Sequence, residues 1–258
     1  MSKLKYVLYA GIVSTGIISA GAFSLYLIQD SIIYPSDFPE GKRLENNPPG
    51  FVHPGERDLP YSTVELKATD GVVTNAWLLM QPVPQTSPTV LFFHANAGNR
   101  GYRMPFIEEF YKVLGMNVLI IDYRGYGESD APKSEKGIKL DAEAALKYLF
   151  DHGDINSDSI FVFGRSLGGA VAIYIAHKHP IKGLILENTF TSIKDVIRDS
   201  LGKFWVITWP LLKSNWASID IIDSVKCPIL FISGQNDSLI PPAHMRSCLL
   251  YTSDAADE

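Results

Sequence analysis

Five short runs in this sequence are almost unbroken apolar residues: 89–93, 118–121, 160–163, 184–186 and 229–232. Each is too short for a helix that buries every face. None alternates with polar residues, so each must be covered on both sides. Stretches with helical periodicity separate the later runs. Leu140, Ala144, Ala145, Tyr148 and Leu149 fall on one helical face, and Ala170, Tyr174 and His177 follow the 160–163 run at a comparable distance. Buried strands alternating with helices predict an α/β fold with a mostly parallel sheet covered on both faces. Two more strand-like runs, 62–66 and 72–80, come first, and no internal repeat is visible.

Composition narrows the function. Lys plus Arg total 23 against 28 Asp plus Glu, a net charge of −5 with no basic block, which argues against a nucleic-acid partner. Hydrophobic residues at 46% exclude a disordered chain. Cys227 and Cys248 are too few for a disulfide framework, and no Cys/His spacing suggests a zinc site.

Both ends of the chain stand apart from the middle. Residues 6–29 carry no charge, and as a helix they would extend roughly 36 Å, enough to cross a bilayer. The run continues past any small-residue cleavage site, so residues 1–29 are expected to be a retained signal-anchor. Lys3 and Lys5 precede it and Asp30 follows. The positive-inside rule then puts the N-terminus in the cytoplasm and the remainder on the lumenal or extracellular side. Residues 30–61, with Pro35, Pro39, Pro48, Pro49, Pro54 and Pro60, read as an extended stem. The last 11 residues, Cys248–Glu258, have a codon spelling that matches read-through into a transposase-type sequencing adapter. The expectation is therefore an incomplete folded domain over 62–247, a cap over about 191–222, and a foreign tail over 248–258.

The chemistry centres on Gly164-Arg165-Ser166-Leu167-Gly168, which joins an apolar strand to a helix. A GxSxG sequence in that setting is a nucleophile elbow: a tight turn with little side-chain bulk holds the serine in a strained conformation at the sheet's edge. A serine that attacks a carbonyl also needs N–H donors for the oxyanion. The expected pair is the backbone N–H of Leu167 and that of Asn96, the latter in the loop His94-Ala95-Asn96-Ala97-Gly98-Asn99. His94 reads as a residue that shapes this loop, not as the base. Asp122 and Arg124, in the turn after 118–121, read as structural pairing residues. Cys227, before Pro228, reads as a buried structural thiol.

With these motifs in order, residues 62–247 resemble the alpha/beta-hydrolase family. Within it, the likeness is to the subgroup of alpha/beta-hydrolase domain-containing protein 13. It is carried by the apolar N-terminus, Gln29-Asp30-Ser31-Ile32-Ile33-Tyr34-Pro35, the 94–99 loop, the elbow, Glu187-Asn188-Thr189-Phe190 and the segment 233–245. Ala95 departs from the glycine usual there. The resemblance implies a membrane-anchored serine hydrolase that cleaves an ester or thioester of an acyl-bearing small molecule, lipid or protein. The acyl-enzyme would form on Ser166, and neither cofactor nor metal is required. It places the triad acid at Asp237, with Glu187 as rival, and puts the catalytic histidine last in the order. His244 is the only histidine after Asp237 and is expected on a helix leading away from the elbow, so the expectation is a chain that lacks its base and most of its turnover. Phe204, Trp205, Trp209 and Trp216 could line an apolar acyl wall or simply anchor the cap. Two alternatives stay open: a serine peptidase of the same fold, and a non-catalytic membrane-tethered scaffold.

Overall fold

The structure, a computed structural model, describes residues 19–39, 41–237 and 239–253, apart from the side chains at 204–206 and 253. Among these residues the apolar runs form β1 (Ser62–Lys67), β2 (Val73–Leu79), β3 (Thr89–Phe93), β4 (Asn117–Ile121), β5 (Ile160–Arg165), β6 (Gly183–Glu187) and β7 (Ile229–Ile232). They make one sheet of order β1-β2-β4-β3-β5-β6-β7. β1 and β2 pair antiparallel, as do β2 and β4, while β4, β3, β5, β6 and β7 are parallel neighbours.

Strand alternation divides the core in two. Leu91, Phe93, Leu119, Ile121 and Val162 point to one face, where they pack with Ile138, Ala142 and Leu146 of a helix at Glu135–Asp151 and Val171 and Ile175 of a helix at Leu167–Lys178. Val90, Phe92, Val118, Ile120 and Phe163 point to the other, against Met104, Ile107 and Phe110. In chain order the helices are α1 (residues 19–33), α2 (Met104–Glu108), α3 (Glu135–Asp151), α4 (Leu167–Lys178), α5 (Ile193–Leu201) and α6 (Pro242–Ser253). The Ser134 hydroxyl caps α3 by accepting the Gly137 N–H at 3.1 Å.

Residues 34–61, expected as a stem, contribute Tyr34, Leu44 and Leu59 to the buried interior. α6 runs through Ser247, and its Cys248 is buried in the same core as Met245; residues 254–258 lie outside the described residues.

The expectation of a membrane anchor over 1–29 is corrected. Among the described residues no helix is long and apolar enough to cross a membrane, and residues 1–18 lie outside them. α1 is instead tied to the cap. Gln29 is 4% exposed; its Nε2 donates to the Leu211 carbonyl at 2.9 Å and its Oε1 accepts the Lys213 N–H at 2.8 Å. Asp30 pairs with Lys213 at 3.1 Å. Leu25, Ile32 and Ile33 of α1 line a cavity in the protein while Phe23, Leu27 and Ile28 are exposed, a division that hydropathy along the chain does not show. The single-pass topology, the membrane as partner, the lumenal or extracellular placement and the membrane-anchored form of the hydrolase are withdrawn with the anchor.

Candidate active site

At the end of β5 the chain turns through Ser166, which has φ 54° and ψ −117°, before α4 opens at Leu167. Positive φ is unfavourable for a residue with a Cβ, so surrounding bonds must hold it. The Ser166 N–H donates to the Glu187 carbonyl at 2.9 Å, and its own carbonyl accepts the Gly169 N–H and the Thr189 hydroxyl, each at 2.9 Å. The motif's glycines are needed for close approach. A Cβ on Gly164 would collide with the Gly168 carbonyl, and one on Gly168 with the Phe93 carbonyl. Leu167, first in its helix, has an N–H with no intrahelical acceptor a turn earlier.

The loop after β3 is fixed from several sides. His94 is fully buried; its Nδ1–H donates to the Ala95 carbonyl at 2.6 Å and its carbonyl accepts the Tyr123 hydroxyl at 2.8 Å. Burial, reinforced by the cations of Arg103 and Arg100 against the opposing Ala95 bond, pushes this imidazole down to about 3. It is therefore neutral near pH 7, a shaping residue as expected. The Asn96 carbonyl accepts the Tyr126 hydroxyl at 2.7 Å, and its side-chain amide donates to the Ile33 carbonyl at 3.3 Å. Asp122 and Arg124 both pair: Asp122 with Arg100, and Arg124 with Asp141 at 2.8 Å and Asp70 at 2.7 Å.

Ser166, Leu167 and Asn96 meet at one cavity of about 290 Å³. Most of the remaining lining is aliphatic. α5 contributes Ile193, Val196, Ile197 and Leu201 at helical spacing, while its Asp195, Arg198 and Asp199 pair among themselves on another face. Leu211 and Leu212 follow from the cap, Leu239 and Ile240 from the segment after β7, and Leu25, Gln29, Ile32 and Ile33 from α1. The sequence reading missed the α1 wall because it took that stretch for a membrane span. It missed the α5 stripe too, although the spacing 193, 196, 197, 201 is legible. Trp216 does not line the cavity; it is 2% exposed and its indole N–H donates to the Tyr34 hydroxyl at 2.9 Å, which anchors the cap. The side chains of Phe204 and Trp205 lie outside those described.

The structure does not bring the acid and the base to this cavity. Asp237 Oδ1 accepts the N–H groups of Leu239 and Ile240, each at 2.9 Å, so the carboxylate closes its own turn. Glu187 lies beside Arg165 at 3.7 Å, outside the cavity lining. His244 is buried on α6, with Nδ1 2.9 Å from the Thr191 hydroxyl and Nε2 3.4 Å from Asp199. None of the chain's six histidines lines the cavity. Among the described residues no group of His, Cys, Asp and Glu is arranged to hold a metal ion.

Comparison with known proteins agrees with this architecture. Residues 88–208 match the family described as alpha/beta hydrolase fold. The chain is 43% identical over 241 residues to protein Bem46 of Schizosaccharomyces pombe, covering 92% of this chain and 79% of that protein. It is 37% identical over 254 residues to the alpha/beta hydrolase domain-containing protein WAV2 of Arabidopsis thaliana, covering 93% and 80%. Among solved structures, the Pyrococcus furiosus esterase Pf2001 superposes with a TM-score of 0.64 at 23% identity, over 79% of this chain and 82% of that one, a likeness of fold. These matches support the superfamily. They do not support the narrower subgroup of alpha/beta-hydrolase domain-containing protein 13, and that assignment is withdrawn.

Proposed function

We propose, from the premise that this chain belongs to the alpha/beta-hydrolase family, that it is built for serine-centred cleavage of esters or thioesters with an apolar acyl group. The observation that carries this reading is a strained serine that borders a mostly aliphatic cavity together with Leu167 and Asn96. In the proposed reaction Ser166 Oγ attacks the acyl carbonyl carbon, and its proton passes through a base to the leaving alkoxide or thiolate. The N–H groups of Leu167 and Asn96 stabilise the oxyanion, an effect typically worth about 3 kcal/mol per donor. Water then attacks the acyl-enzyme, releases the carboxylate and returns the proton to Ser166. Asp237 is the proposed acid, which requires its carboxylate to turn from its own loop toward an imidazole. That base is none of the six histidines in the positions they occupy here, so basal turnover is expected to be low.

The test is hydrolysis of p-nitrophenyl acyl esters by the chain and by Ser166→Ala, with and without added imidazole as a substitute base. The expected result is saturable turnover that imidazole raises and that Ser166→Ala removes. Equal rates for the two proteins would overturn the reading. That no histidine lines the cavity favours one competing reading, a binding-only protein, which predicts ligand uptake without Ser166-dependent turnover.

A further inference from the structure

α1 carries the inference furthest. Four of its residues, Leu25, Gln29, Ile32 and Ile33, lie at helical spacing and line the same cavity as Ser166. Residues of α5, with Leu211 and Leu212, line it as well, so both helices and the serine border one cavity. The α1 wall is held at three levels. Gln29 bonds the cap backbone through Leu211 and Lys213, Asn96 donates to the Ile33 carbonyl at 3.3 Å, and the Tyr34 hydroxyl donates to Ser214 Oγ at 2.9 Å.

Gln29 is the informative residue. Among the described residues it is the only polar side chain α1 contributes to the lining, and its amide is already engaged: Nε2 donates to Leu211 and Tyr26 carbonyls, and Oε1 accepts from Lys213. It is therefore a clamp and offers a ligand no polar recognition. A ligand running from Ser166 along α1 meets aliphatic surface, and about 290 Å³ is at the small end of ligand cavities.

We propose that α1 is the specificity wall of this site, and that an unbranched, medium-length aliphatic acyl chain lies between α1 and α5 with its carbonyl at Ser166. This rests on the serine-hydrolase reading for the chemistry but not for the binding, so the two can fail separately. α1 thereby acts as a ruler that selects acyl length, and Gln29 sets its position.

The experiment is calorimetric titration of the full chain with decanoate and acetate, paired with turnover of the p-nitrophenyl decanoyl and acetyl esters in imidazole buffer. The variants are Ile32→Trp, which fills the cavity from a position exposed enough to be tolerated, Gln29→Leu, which releases the clamp, and Phe23→Ser, on α1 outside the cavity lining. Circular dichroism checks that each is folded. The expected result is that decanoate binds and acetate does not. Ile32→Trp should weaken decanoate binding roughly tenfold or more and lower the decanoyl-to-acetyl turnover ratio by a similar factor. Gln29→Leu should weaken decanoate binding in the same direction, and Phe23→Ser should leave it unchanged. Decanoate binding that ignores both Ile32→Trp and Gln29→Leu, or no decanoate binding at all, overturns the proposal. Decanoate binding that follows the α1 variants without turnover of either ester supports it and overturns the hydrolase reading alone.

Discussion

Gly168 lies directly beneath the Phe93 and His94 carbonyls, so the elbow and the oxyanion loop are pressed together at one residue. Gly168→Ala is therefore expected to lower stability by about 1–3 kcal/mol through overpacking. Gly153→Ala, where an added Cβ meets nothing, should change it by less than about 0.5 kcal/mol. Urea unfolding compares the two, and equal effects would count against the close approach. His94 gives a pH prediction. Its folded imidazole is held near 3, against an ordinary value of 6.5. As pH falls below 6.5 the unfolded chain takes up a proton that the folded chain refuses, so the folded state loses stability through the window from 6.5 to 3. The slope is at most about 1.4 kcal/mol per pH unit. His94→Gln should flatten that loss relative to the parent protein in unfolding curves taken across the window. At this scale the meeting of Ser166, Leu167 and Asn96 at one cavity was legible in the sequence, because the motif and the loop after β3 fix backbone positions. The state of Asp237 was not legible, since its carboxylate can either close its own turn or orient an imidazole.

Among the elements, the segment that begins as α1 and continues through Tyr34 is what joins the N-terminal part of the chain to the cap. Tyr34 is fully buried, donating to Ser214 Oγ and accepting from the Trp216 indole, each at 2.9 Å. Tyr34→Phe leaves that indole N–H without its acceptor and should cost about 1–3 kcal/mol. For a chain of this size that is a fall in Tm of roughly 2–4 °C per kcal/mol, and a thermal scan in which the variant melts with the parent would refute the coupling. The strands were nearly all readable, because five of them are continuous apolar runs of strand length. α1 was misread, since an uncharged stretch suits both lipid and a protein groove. What separates the two is Gln29, whose partners in the cap lie more than 180 residues away in sequence.

For the whole molecule, the parallel sheet brings the β3 loop and the β5 elbow side by side, since β3 pairs with β5 from Thr89↔Ile160 to Phe93↔Gly164. That pairing places the proposed nucleophile and both proposed oxyanion donors at one sheet edge, with α1, α5 and the cap enclosing the space in front of them. The sequence made this layout legible through strand order and motif placement, whereas the cavity's aliphatic walls come from helices whose partners only the folded chain reveals. The most direct test of the central claim is to treat the chain with an alkyl fluorophosphonate in imidazole buffer and map the adduct by peptide mass spectrometry. The account predicts a single adduct on Ser166, absent from Ser166→Ala. An unmodified Ser166 peptide from folded protein, or an adduct on another residue that survives Ser166→Ala, would contradict it.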